Sequence, residues 1–87
     1  MSNDLQTEFE DAAKRAQKIS KRPDNETMLK LYSLYKQATI GDISGKRPGF
    51  TEFVGRAKYD AWAKRKGQDK GEAKQAYIDL VNELEAA

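Results

Sequence analysis

Between Thr39 and Phe50 the chain reads "TIGDISGKRPGF", three glycines and a proline within twelve residues. No regular helix or strand runs through such a stretch, because glycine costs backbone entropy while proline fixes φ and removes a donor. The stretch is also longer than a simple helix hairpin needs. Short loops make neighbouring helices antiparallel, whereas a crossover lets the two helices it joins run in the same direction.

Four segments with helical periodicity surround this connection. Residues 4–19 place Leu5, Phe9, Ala12, Ala13, Ala16 and Ile19 at helical spacing, with acidic residues first and basic residues last, as the helix dipole prefers. "SKRPDN" then interrupts the chain, since Pro23 disfavours helix in the residue before it. Asp24 is placed to cap a second helix to about residue 39, with Met28, Leu31, Tyr32, Tyr35 and Ala38 along one side. A third helix is expected over about 51–65, with Phe53, Ala57, Ala61 and Trp62 in register and Gly67 beyond its end. Asp69 and Glu72 form a capping-box-like start to a fourth, whose apolar side is Ala73, Ala76, Tyr77, Leu80, Val81 and Leu84. No strand alternation or internal repeat competes with these patterns. The expectation is one all-α domain over residues 1–87, a four-helix bundle of up-down-down-up topology.

Composition narrows the chemistry. The 87 residues contain no cysteine and no histidine, which removes thiolate and imidazole chemistry, including zinc, haem and triad sites. No carboxylate pair is marked out for acid–base work, so neither an enzyme nor a catalytic or metal site is expected. The first ten residues, "MSNDLQTEFE", have no basic or apolar leader, and no run is long enough to span a bilayer. A cytoplasmic protein is expected.

The net charge is +2 but unevenly spread. Residues 1–13 carry four acidic groups and no basic one, whereas residues 46–70 carry eight basic groups against three acidic ones. A local positive field of this kind suits an anionic ligand, or is simply a solvated face. Nucleic acid is disfavoured because Asp60 and Asp69 interrupt the basic segment and the first helix is acidic. "GDISGKRPG" is no phosphate loop, since arginine follows Lys46 where a hydroxyl is needed.

Within "LYSLYKQAT" (31–39), Tyr32, Tyr35 and Lys36 occupy positions i, i+3 and i+4, one patch of a helix surface. They read either as packing aromatics beside a solvated lysine or as a site for an aromatic, phosphorylated ligand. In the second reading tyrosine meets a flat base and lysine supplies a point charge. Lys58 is a further cationic candidate. Tyr77 and Trp62 read by default as core.

The order of these pieces resembles the acyl-CoA-binding protein family. The resemblance runs from about Phe9 to Leu84 and rests on "LYSLYKQATIGDISGKRPG" (31–49), "GRAKYDAWAKRKG" (55–67) and "AYIDLVNEL" (76–84). It implies an up-down-down-up bundle that binds long-chain acyl-CoA thioesters reversibly, as a carrier and pool buffer without catalysis or cofactor. It further implies that Tyr32, Lys36 and Lys58 hold the 3′-phosphate of the CoA ribose and that Tyr35 lies against the adenine. Tyr77 would border the ligand, with Phe9, Ala12 and Ala13 covering the acyl chain. Gln17 stands at a ligand-touching position where many relatives have lysine, and Tyr59 where a second tryptophan is common. A monomer in transient contact with membranes or acyl-CoA-using enzymes follows from the same resemblance. The alternative is a helical interaction module with the fold but not the ligand. An acyl carrier protein is excluded, because the chain lacks the serine motif for phosphopantetheine and has the wrong charge balance.

Overall fold

The computed structural model describes residues 4–87. Four helices follow in order: α1 Leu5–Ala16, α2 Asn25–Thr39, α3 Phe53–Ala63 and α4 Lys70–Ala86. Three begin on an aspartate whose carboxylate accepts from amides of the first turn. Asp4 takes Thr7 N and Asp24 takes Thr27 N, each at 2.8 Å. Asp69 takes Gly71 N at 2.8 Å and Glu72 N at 3.2 Å. These bonds satisfy amides that no intrahelical carbonyl reaches. The first and third helices are shorter than their periodicity predicts, because their last residues tighten into i→i−3 bonds. Lys18 N donates to Arg15 O and Arg65 N to Trp62 O, both at 2.9 Å.

Side-chain contacts fix the directions. Leu5 lies against Gly71 near the start of α4, and Arg15 pairs with Glu85 near its end, so α1 and α4 run parallel. Gln37, late in α2, donates to Gln68 O just before α4, at 2.9 Å, whereas Lys30, earlier in α2, shares a surface cleft with Glu83. Helices α2 and α4 are therefore antiparallel. Met28 and Leu29 face Phe53 and Val54 at the starts of α2 and α3, and Ser33 accepts from Arg65 further along, so these two run together. The result is up-down-down-up, with α1 on α4, α4 on α2 and α2 on α3.

The long connection is pinned rather than loose. Asp42 Oδ1 accepts from Gln37 Nε2 at 2.9 Å and from Gly67 N at 2.8 Å. Trp62 Nε1 donates to Gly41 O at 2.8 Å, and Tyr59 OH to Gly45 O at 3.0 Å. Arg47 makes a two-bond fork on Asp60, at 2.9 and 2.7 Å. Gly67 itself has φ +90°, where a side chain would be strained. The Gly67 amide, followed by the Gln37 amide, holds the Asp42 carboxyl below its ordinary value of 3.8. A folded-state value lowered in this way adds stability that is present above the ordinary value and lost as pH falls through the lowered one. Thermal melts should therefore separate wild type from Asp42→Ala at neutral pH and converge in strong acid. A constant gap across that range would rule out the ionised carboxylate as the pin.

The core is formed by Phe9 and Ala12 of α1, Leu34 and Ala38 of α2, and Ala73, Tyr77, Ile78 and Val81 of α4. Helix α3 contributes no buried residue, which corrects the default reading of Trp62 as core. Phe53 is 76% exposed, and Trp62 is half-buried over the Gly41 carbonyl. Because α3 packs only on α2, at one edge of the bundle, it has one neighbour to bury against.

Candidate functional site

The apolar stripe of α2 read from the sequence coincides with its core face only at Ala38, with Leu31 packed against the core's edge. Leu34, Gln37 and Ala38 point inward, while Met28 and Tyr35 are 37% and 42% exposed. The displaced side chains line two clefts on either side of Tyr32. Toward α1, a cleft of about 540 Å³ is walled by Ala13, Gln17, Met28, Leu31 and Tyr35, with Tyr77 of α4 behind them. Toward α3, a groove of about 580 Å³ runs between Met28 and Leu29 on one side and Phe53, Val54 and Ala57 on the other. Tyr32, Met28 and Arg22 belong to both.

Two cations converge on the shared tyrosine. Lys36 Nζ lies 5.7 Å from the Tyr32 ring centre and 5.8 Å from that of Trp62. Lys58 Nζ approaches Tyr32 from α3, 5.2 Å from the ring centre. Among the described residues the ion pairs involve Arg15 and Arg47, so neither lysine has a carboxylate partner there. Two ammonium groups near one ring, with no ion pair among the described residues, have the chemistry to hold a dianion such as a phosphate monoester.

Three rings support the cleft on the α1 side. Phe9 stacks on Tyr35 at 5.5 Å and 26°, and meets the edge of Tyr77 at 5.2 Å and 64°. Tyr35 and Tyr77 are 5.8 Å apart. Burial, and then proximity to Tyr35, raises the pKa of Tyr77 above its ordinary 10.0, so its hydroxyl stays neutral.

Of the nine residues singled out from the sequence, Ala13, Gln17, Tyr32, Tyr35 and Tyr77 line the α1-side cleft, and Lys36 and Lys58 flank Tyr32. Phe9 and Ala12 do not reach the cleft wall. At 2% and 0% exposure they belong to the core beneath it. Sequence reasoning missed the α2–α3 groove, because Phe53 and Ala57 at i and i+4 look like an ordinary buried face. Val54 was the available signal: it widens the apolar face beyond what one packed neighbour can cover. Among the described residues no cluster of acidic side chains could hold a metal.

Known proteins share this up-down-down-up bundle. The profile of the family described as "Acyl CoA binding protein" matches residues 6–81. This chain belongs to the acyl-CoA-binding protein family. Acyl-CoA-binding protein homolog 1 of Caenorhabditis elegans is 44% identical over 76 residues, covering 87% of this chain and 88% of the relative. The acyl-CoA-binding protein homolog of Drosophila melanogaster is 40% identical over 79 residues, covering 91% and 92%. Among solved acyl-CoA-binding proteins, the crystal structure of Oryza sativa Acyl-CoA-Binding Protein 2 superposes with a TM-score of 0.89 at 43% identity, over 93% of this chain and 90% of that one. The protein of Moniliophthora perniciosa gives 0.85 at 35% identity, over 97% and 80%.

Proposed function

We propose that this protein is a reversible carrier and buffer of long-chain acyl-CoA in the cytoplasm, working as a monomer and without catalysis. The observation that carries this reading is the convergence of Lys36 and Lys58 on Tyr32, midway between the two clefts. An acyl-CoA has the matching order of parts: a flat base, a phosphorylated ribose and a long aliphatic chain. In this proposal the 3′-phosphate lies between the lysines and the adenine rests against Tyr35 in the α1-side cleft. The acyl chain follows the aliphatic groove of Met28, Leu29, Val54 and Ala57. Ala13 and Gln17 form the far wall beside the base. Phe9 supports the site from below through its contacts with Tyr35 and Tyr77, with Ala12 in the same core.

Burying the chain supplies the driving force, at roughly 0.8 kcal/mol per methylene. Each charged hydrogen bond to the phosphate adds roughly 1.5–3 kcal/mol and separates the thioester from a free fatty acid. Titration calorimetry with palmitoyl-CoA, CoA and palmitate below their micelle concentrations tests the proposal. Tight one-to-one binding of the thioester, with both fragments much weaker, is the expected result. Absence of binding to all three would leave an interaction module in place of a carrier.

Gln17 offers a gain-of-affinity test. Its side chain is exposed on the cleft wall, so a cation there would be screened by water. Gln17→Lys is expected to tighten palmitoyl-CoA binding by roughly two- to fivefold, the range of a surface ion pair. The gain should disappear at high salt. A salt-independent change would point to repacking instead.

A further inference from the structure

Beyond Ala57 the groove between α2 and α3 changes character. Leu29 lines both that groove and a second cleft, of about 300 Å³, further along the two helices. Ala61 lines the second cleft one helical turn after Ala57 lines the first, so an apolar floor joins them. The end of this floor is cationic. Lys30 of α2 meets Lys64 and Arg65 at the end of α3, against a single carboxylate in the same cleft, that of Glu26.

Arg65 is held in one direction. Its Nε donates to Ser33 Oγ at 2.8 Å, and that hydroxyl, 1% exposed, donates in turn to Lys30 O at 3.1 Å. Asp79 and Glu83 share an adjoining cleft with Arg65, yet the guanidinium has no ion pair among the described residues. Burial lowers its pKa, with no neighbouring carboxylate to oppose the shift. A guanidinium fixed in direction, partly removed from water and unmatched is prepared for an anion that arrives from outside.

We propose that Arg65, with Lys30 and Lys64, receives an ω-carboxylate, so that the protein takes long-chain dicarboxylic acyl-CoA alongside ordinary acyl-CoA. This rests on the carrier reading, because the groove must hold the acyl chain for its far end to reach Arg65. The methyl end of a saturated chain gains nothing from three cations, and the 3′-phosphate is assigned to Lys36 and Lys58. A carboxylate matches the planar fork of arginine through two parallel hydrogen bonds, while Leu29 and Ala61 suit the methylenes that precede it. A groove that was apolar throughout would reject such a chain, since burying an unpaired charge is costly.

Titration calorimetry with hexadecanedioyl-CoA beside palmitoyl-CoA, two thioesters of equal chain length, tests this. Wild type is expected to bind the two with similar affinity. Arg65→Gln should weaken hexadecanedioyl-CoA roughly tenfold, the loss of one charge-assisted contact, and leave palmitoyl-CoA unchanged. Lys64→Gln, which alters an exposed side chain, should give a smaller loss of the same kind and covers the case in which Arg65→Gln does not fold. Across dicarboxylic thioesters from decanedioyl to octadecanedioyl, the Arg65→Gln penalty should peak at one length, where the carboxylate meets the fork. A penalty equal for both thioesters, or the same at every length, would overturn the proposal. Wild type that binds palmitoyl-CoA normally but rejects hexadecanedioyl-CoA would overturn it alone. Failure of palmitoyl-CoA itself to bind would sink the carrier reading, and this proposal with it.

Discussion

Lys58→Met is expected to bind palmitoyl-CoA roughly ten- to a hundredfold more weakly than wild type, and Lys36→Met to show a loss of similar size. Both ammonium groups face the Tyr32 ring and neither has a carboxylate partner among the described residues. The change therefore removes a ligand contact without orphaning a protein group. Stability should hardly move, because the cation–π contacts that are lost contribute only about 0.5–1 kcal/mol each. The two losses should not add, since in the proposed pose both lysines act on one phosphate. The decisive control is palmitoyl-CoA lacking the 3′-phosphate. Against that ligand both variants should resemble wild type. An equal loss with and without the 3′-phosphate would mean that the lysines act elsewhere.

Phe9→Ala should produce the largest loss of stability. The ring is 2% exposed, packs on both Tyr35 and Tyr77, and joins α1 to the rest of the core. Truncating a buried phenylalanine costs roughly 3–5 kcal/mol through lost burial and the cavity left behind. Small domains hold roughly 5 kcal/mol or somewhat more in total, so urea unfolding should show a midpoint moved far toward zero denaturant. The effect reaches the site as well. Tyr35 is 42% exposed and rests on Phe9, so removing that support frees the ring proposed to meet adenine. Tyr35→Ala should give the opposite balance, with weakened ligand binding and little change in midpoint. If Phe9→Ala unfolds within about 1 kcal/mol of wild type, the three-ring cluster is not a structural unit, since such a loss is below the ordinary cost of a core truncation.

Much of the molecule was legible before any coordinates. Capping by Asp24 and Asp69 could be read because an N-cap needs only a short acceptor ahead of an apolar-periodic run, a local condition. The long connection was legible as a crossover for the same reason, since glycine and proline act within a few residues of themselves. The tyrosine–lysine patch followed from helical spacing alone, and the quoted segments pointed to the family to which the chain belongs.

Which apolar residues are core could not be read in this way. Periodicity marks an apolar stripe but not what covers it. Met28, Leu31, Tyr32, Tyr35 and Ala38 formed as good a stripe as any, yet only Ala38 of the five is fully buried and the other four line a cleft, because α2 turns Leu34, Gln37 and Ala38 toward α4. Phe53 and Ala57 were equally regular, yet they lie at the rim of a groove, because α3 has only α2 to pack against. The convergence of Lys36 and Lys58 on one ring likewise depends on α2 and α3 running parallel, which brings together residues 22 positions apart. Local chemistry determined where the helices begin and how their faces are composed. Only the packing of four helices, each with a limited number of neighbours, decided which faces were buried and which were left open to a ligand.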